Sequence, residues 1–499
     1  MRAGRVCAGF NVWSLFCWEQ FRRWRADRRP PTDHGGASRL RFLKSPCMPT
    51  DTRLTVVFLH SLGSSRHDWD AVIDRLGDEV VTVAIDLPGF GDRAGEGYGD
   101  VQAVLDDLSR RLTDLHLPRW ILVGHSMGGK FATLIAARAR DGAAGLSGLL
   151  GVVLVAGSPP SPEPMDENRR ADMLTWFDDS ARIEDRGRQF MDANTAAGLP
   201  QAAFDQALAD FTRSSPQAWR GWLAEGSRED WSDQAGVLPF PALIIAGAED
   251  GDLGEAAQRR VNAPHYRASD VVVVPDAAHL IPQEQPNRLA GLVLKFVEKV
   301  GSSALPPRFV GLVASDRVSD RTRRAMLDRH FGPAPADGGV LNPTQRAVLS
   351  AMIARILPDA GDPDDLTRRL DVGLASGPGD GWRFADLPSD AEAWRRGLDE
   401  IAATAPEFAT LAPDRQDDIL RTISQGEWPE PGRLSADAMR LWFEDVVSEA
   451  ARLWMSLPST WAQIGYDGFA TGGEGRFQGY DQTAADHIEP WRLPMEGVG

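Results

Sequence analysis

Between residues 54 and 300, short apolar runs alternate with stretches in which apolar side chains recur every three to four positions. The runs are Leu54 to His60, Val80 to Ile85, Trp120 to Val123, Leu149 to Val155, Ala242 to Ala246 and Val271 to Val274. A continuous apolar run of this length, ended by turn residues, predicts a strand buried on both faces. Val101 to Leu115 and Gly128 to Arg140 carry the helical period instead. Repeated βα units predict a parallel sheet covered by helices on both sides.

The rhythm breaks at residues 160–237. No strand pattern occurs there, and Trp, Arg, Asp and Glu recur at helical spacing. A helical insertion between two sheet strands predicts a cap over an active site. Residues 301–340 read as a linker, with Ser302, Ser303, Pro306 and Pro307 at one end and Gly332-Pro333-Ala334-Pro335 and Gly338-Gly339 at the other. A charged, solvated helix between Asp316 and Arg329 interrupts it. Beyond it the chain is helical. Asn342-Pro343-Thr344 starts a helix that Pro358 ends, and Trp394 to Ala403, Pro413 to Ile423 and Ala436 to Met455 follow. The last 35 residues are Gly-rich. The expected architecture is therefore a domain at 48–300 and a mostly helical domain at 341–499, folding separately.

Composition narrows the function classes. The net charge of −17 leaves no basic face for phosphates and argues against a nucleic-acid partner. Residues 1–47 differ from the rest, with ten Arg/Lys against three Asp/Glu and all three cysteines, Cys7, Cys17 and Cys47. They read as a disordered basic leader or as sequence ahead of a true start at Met48. A targeting segment is the other reading, but Val6 to Trp18 is too short to span a bilayer. After Met48 there is no cysteine, hence no disulfide framework, thiolate metal site or haem attachment. No span is predicted elsewhere, and a cytoplasmic location fits.

The chemistry concentrates at Gly124-His125-Ser126-Met127-Gly128. The apolar strand before it and the helix after it make a strand-to-helix elbow, which needs small flanking residues because the serine is held in a strained conformation. A serine hydroxyl needs a base. His279 follows the strand Val271 to Val274, at the edge where the elbow also lies. The other histidines fail on position. The acid is expected after the preceding strand, and Asp250 is four residues past it, with Glu249 and Asp252 as competitors. The oxyanion hole needs two backbone N–H groups, expected from Met127 and from Leu62 in the loop His60-Ser61-Leu62-Gly63. His60 reads as a loop-packing residue. Phe90, in the turn Asp86-Leu87-Pro88-Gly89-Phe90-Gly91, and His125 are the expected pocket walls.

With these residues in view, 54–300 resembles the α/β-hydrolase superfamily, in its capped branch of esterases, C–C hydrolases and perhydrolases. The likeness rests on His60 to Gly63, Asp86 to Gly91, the Ser126 elbow, the Asp250 loop and His279 with Pro286 downstream. Ser61 departs from the usual His-Gly pair. Ser126 at the elbow argues against the dehalogenase and epoxide-hydrolase branches, which need a carboxylate nucleophile. The resemblance implies a serine hydrolase acting on an ester, lactone or related acyl bond, without cofactor or metal.

Residues 341–491 resemble the gluconate 2-dehydrogenase subunit 3 family, on Leu341 to Pro358, Phe408 to Leu411, Trp442-Phe443, Trp461 to Tyr466 and Glu489-Pro490-Trp491. That resemblance implies docking to a separate flavoprotein dehydrogenase. The hydrolase half would then be ancillary or would open a lactone product. The Trp stripe Trp394, Trp442, Trp454 and Trp461 reads as core rather than interface.

Overall fold

A computed structural model describes residues 53–469 apart from Tyr98, 334–337, 377–383 and 430–431. The expected leader, Met48 and most of the Gly-rich tail, with Tyr480 and Trp491, lie outside the described residues. What is described falls into two compact units, one of Arg53–Gly339 with 452–469 and one of Val340–Ala451.

The first unit is built on six parallel strands: β1 (Thr55–Leu59), β2 (Val81–Ile85), β3 (Trp120–His125), β4 (Leu149–Val155), β5 (Leu238–Gly247) and β6 (Tyr266–Val274). Their order across the sheet is β2-β1-β3-β4-β5-β6. The central strands β1, β3 and β4 are buried at every position, as their unbroken apolar runs require. The helices Val101–Asp114 and Met127–Arg140 help to cover one face, and Asp70–Leu76 and Pro286–Gly301 cover the other. Strands β5 and β6 start earlier than their apolar runs. In β5 the extension holds Pro239 and Pro241, and the register with β6 shifts between Leu238 and Pro241. In β6 it holds Arg267, Ser269 and Asp270, which an edge strand accommodates because one side stays wet.

The order reverses between β1 and β3, which leaves a crevice at the carboxyl ends of those strands where ligands bind in open α/β sheets. The loop His60–Gly63 and the elbow at Ser126 both leave the sheet there. Between β4 and β5 the insertion is helical: Glu167–Leu174, Ile183–Asn194, Gln201–Arg213, Pro216–Gly221, a π-turn at Trp222–Gly226 and Ser232–Ala235. Trp176, Phe190, Phe211 and Trp219 pack ring against ring inside this cap, at centroid separations of 5.1–6.4 Å.

The stretch expected as a linker is instead structured. Pro307–Ala314 and Asp320–Phe331 are helices of the first unit. The Arg323 guanidinium is buried and donates to the carbonyls of Gly142 and Val313, at 2.7 and 3.0 Å. Phe331 packs edge-on against Phe240 of β5, at 5.1 Å. The charge pattern pointed to a solvated helix because its few apolar positions, Met326, Leu327 and Phe331, are too sparse to announce a buried face.

The second unit is helical, with Pro343–Ile356, Pro363–Ala375, Asp390–Thr404 and Pro413–Ser424. Asn342 and Gln345 close a reciprocal capping box at the first of these. Trp394 and Trp442 are buried, and the Trp394 indole donates to Asp445 at 2.8 Å. Trp454 and Trp461 belong to the first unit and are only partly buried.

Candidate active site

Strand β3 delivers Ser126 at φ +50°, ψ −118°, a conformation that L-residues rarely adopt. Its neighbours hold it there. Ser126 N–H donates to Val155 O at 3.0 Å, and Ser126 O accepts from Gly129 N and Ser158 N at 2.7 and 2.8 Å. The two motif glycines are steric necessities. A Cβ on Gly124 would meet Gly128 O at 2.3 Å, and one on Gly128 would meet Leu59 O at 2.6 Å.

The structure brings Ser126, His279 and Asp250 into one hydrogen-bonded line. Ser126 Oγ lies 2.8 Å from His279 Nε2, and His279 Nδ1 lies 2.8 Å from Asp250 Oδ2. Asp250 Oδ1 accepts the N–H groups of Asp252 and Leu253, at 3.2 and 3.0 Å. Burial alone would raise the Asp250 pKa, but the charge and hydrogen bond of His279 and these amides outweigh it and hold the carboxyl below its usual range. Burial would lower the His279 pKa. Asp250, with a smaller contribution from Glu163, reverses that and raises it. Of the competing acids, Asp252 instead pairs with Arg169 of the cap at 2.6 Å, and Glu249 lines the cavity.

Leu62 lines the cavity beside Ser126, and Met127 begins the helix behind it. Among the described residues neither backbone N–H is spent on a protein acceptor. His60 fixes the Leu62 loop: it is fully buried, its Nδ1 lies 2.8 Å from Ser61 O and its Nε2 accepts Leu87 N–H at 3.0 Å. One donor and one acceptor describe a neutral imidazole, and burial lowers its pKa accordingly.

A cavity of about 310 Å³ opens onto Ser126 and His279. Met165, Met173, Phe190 and Trp222 form an apolar wall, while Glu163, Arg169 and Asn194 supply polar groups. Two expected pocket residues are corrected. Phe90 is fully buried with its ring 5.5 Å from His60, and it supports the loop rather than the cavity. His125 is also fully buried, because the residue before an elbow serine points back under the sheet end. Sequence reasoning missed Glu163, whose Oε2 accepts the Ser158 hydroxyl at 2.6 Å and whose pKa is raised by burial. It also missed Asp68, which accepts the Ser61 amide and hydroxyl at 3.1 Å each. The Ser61 departure from the common loop pattern has its use there. Among the described residues no group of three or more His, Cys, Asp or Glu side chains is placed to hold a metal, and no helix is long and apolar enough to cross a membrane.

Residues 56–292 match the alpha/beta hydrolase family, and with this sheet order and elbow the segment has an α/β-hydrolase fold. The chain is 24% identical over 350 residues to the biotin biosynthesis bifunctional protein BioHC of Teredinibacter turnerae, covering 66% of this chain and 57% of that one. It is 34% identical over 122 residues to 2-succinyl-6-hydroxy-2,4-cyclohexadiene-1-carboxylate synthase of Escherichia coli, covering 23% and 44%. The chain thus spans about half the length of these two relatives. Against pimeloyl-[acyl-carrier protein] methyl ester esterase of Neisseria meningitidis the identity is 27% over 253 residues, 49% of this chain and 94% of that one. A solved esterase from Exiguobacterium antarcticum aligns at 18% identity with a TM-score of 0.43, over 49% of this chain and 92% of that one.

Proposed function

We propose that this protein is a serine hydrolase that cleaves an ester, lactone or related acyl bond through an acyl-Ser126 intermediate. The observation that carries the reading is the unbroken line from Ser126 Oγ through His279 to Asp250, at 2.8 Å per step, facing a cavity. In this reading His279 Nε2 takes the Ser126 proton as Oγ attacks the acyl carbon. Asp250 holds the tautomer and stabilises the imidazolium. The carbonyl oxygen becomes an oxyanion facing the N–H groups of Leu62 and Met127. His279 then returns the proton to the leaving oxygen, and water repeats the sequence to release the acid. The likeness to a methyl ester esterase supports the ester class. The cavity wall of Met165, Met173, Phe190 and Trp222 favours an apolar group on one side of the bond, with hydrogen-bonding atoms toward Glu163 and Asn194.

Purified protein is expected to take a fluorophosphonate label at Ser126 and to hydrolyse short p-nitrophenyl esters. Ser126→Ala should abolish both, with a loss on the order of 10⁶ in turnover. Labelling that survives the substitution overturns the assignment.

A further inference from the structure

His125 is buried under the elbow, and both of its ring nitrogens face oxygen acceptors. Nε2 lies 2.9 Å from the carbonyl oxygen of His279. Nδ1 lies 3.2 Å from Oδ2 of Asp68, whose side chain is equally buried. A carbonyl oxygen has no proton to give, so Nε2 carries the hydrogen of the first bond. The second bond needs one more proton, on Nδ1 or on Oδ2. Asp68 already receives the Ser61 amide, the Ser61 and Ser64 hydroxyls and the Gln283 amide. Four donors stabilise a carboxylate and not its acid. Burial alone would raise the Asp68 pKa, yet His125 and Ser64 hold it down to about 2. His60, linked to this node through Ser61, shows the contrasting case of one acceptor and one donor.

We propose that His125 is a buried imidazolium, ion-paired with Asp68, that positions the catalytic base. The inference rests on reading His279 as that base. The bond to the His279 carbonyl fixes the base loop from below. Asp68 extends the same node to Ser61, beside the Leu62 oxyanion donor, and to Gln283, just past the base. One ion pair therefore sets the spacing of three loops that meet at Ser126. His125 does not line the cavity and touches no substrate, so its role is positional. It also acts through charge. Its ring centroid is 5.5 Å from that of His279, and a fixed cation there opposes protonation of the base. Asp250, Glu163 and Glu284 pull the other way, and Arg169 adds to the opposition.

The test starts on the wild-type chain labelled with ¹⁵N-histidine, with His125 assigned by the signal lost in His125→Gln. Both ring nitrogens of His125 should show imidazolium shifts. A neutral-ring pattern at pH 8 overturns the ion pair. Asp68→Asn removes the countercharge while leaving a neutral His125 able to donate to His279. The acid limb of kcat/KM should then move up by at least about half a pH unit, because the nearer cation is lost. A limb that stays in place, with Ser126 still labelled by fluorophosphonate, overturns the charge role. A wild-type chain that takes no label sinks the hydrolase reading and the positioning role with it, while the spectrum still decides the ion pair.

Discussion

The backbone carbonyl of Asn194 accepts the His279 N–H at 3.0 Å, and the adjacent Leu280 N–H at 3.1 Å. Asn194 ends a cap helix, so the cap carries part of the framework of the His279 loop and does more than cover the cavity. Its side chain is tied back to Phe190 O at 2.7 Å. Asn194→Ala is expected to loosen this carbonyl and to lower kcat about tenfold, roughly 1.4 kcal/mol of transition-state stabilisation. Tm should shift by only a few degrees. Steady-state ester kinetics beside calorimetry check this, and an unchanged kcat would show that the cap does not hold the base.

Asp250 is expected to be the acid that matters. Asp250→Asn should lower kcat by about four orders of magnitude, since the amide favours the wrong His279 tautomer. Glu249→Gln and Asp252→Asn should be mild, because Asp252 is engaged by Arg169 at 2.6 Å rather than by His279. Parallel turnover measurements on the three variants rank them, and a larger loss in either control would move the acid.

The pH profile follows from the raised His279 pKa. With His279 as the proposed base, which works when neutral, kcat/KM is expected to fall as pH drops through that value, and the acid limb should lie above the ordinary histidine value of 6.5. Glu163 contributes to raising it. Glu163→Gln should therefore move the limb to lower pH, opposite to Asp68→Asn. A profile unmoved in Glu163→Gln would mean that its carboxyl stays protonated across the limb.

Much of this was legible in the sequence, and the failures share a cause. Six strands, the cap and Ser126, His279 and Asp250 announce themselves because strands buried on both faces and small-residue elbows leave patterns along the chain. Asp68 and Glu163 do not, because each gains its place from residues distant in sequence, such as Gln283 and His125 for Asp68. Phe90 was misplaced for a related reason: a turn aromatic looks the same whether it faces the cavity or His60. The docking role toward a flavoprotein dehydrogenase was read from apolar anchors, and anchors such as Trp394 and Trp442 fill a helical core in the same way.

Lys130 supplies a stability test. Its ammonium donates to the carbonyls of Gly226 and Glu229, at 2.8 and 2.7 Å, joining the helix after the elbow to the cap. Burial lowers its pKa to about 8 from an ordinary 10.5. Below pH 8 the folded and unfolded states are both protonated and the full cost of burying the charge is present. Between about 8 and 10.5 the unfolded state holds more protons, so stability gains with pH. Denaturant titrations from pH 7 to 10 should show wild type gaining on Lys130→Met. Tyr266, whose burial acts with the opposite sign, cancels in that difference. Parallel curves would show that Lys130 does not change its proton there.

Where the hydrolase domain ends is the last question, and the helices Pro307–Ala314 and Asp320–Phe331 decide it. A chain cut at 305 keeps Ser126, Asp250, His279 and the whole cavity wall. It loses Phe309, Leu312, Val313 and Met326, which pack together with Phe469. It also loses Phe331 against Phe240 and the Arg323 bond that satisfies Gly142 O. Each large apolar side chain returned to water costs about 1.5–3 kcal/mol, and a domain of this size loses roughly 2–4 °C of Tm per kcal/mol. The fragment 48–305 is therefore expected to be insoluble or to melt at least about 10 °C below 48–339. The longer fragment should itself fall short of the full chain, because Trp461 and Phe469 belong to the same unit. Calorimetry and ester turnover on the three chains give the ranking. If 48–305 matches 48–339 in both, the two helices are tethered to the hydrolase domain without stabilising it, and the boundary belongs near residue 300 after all.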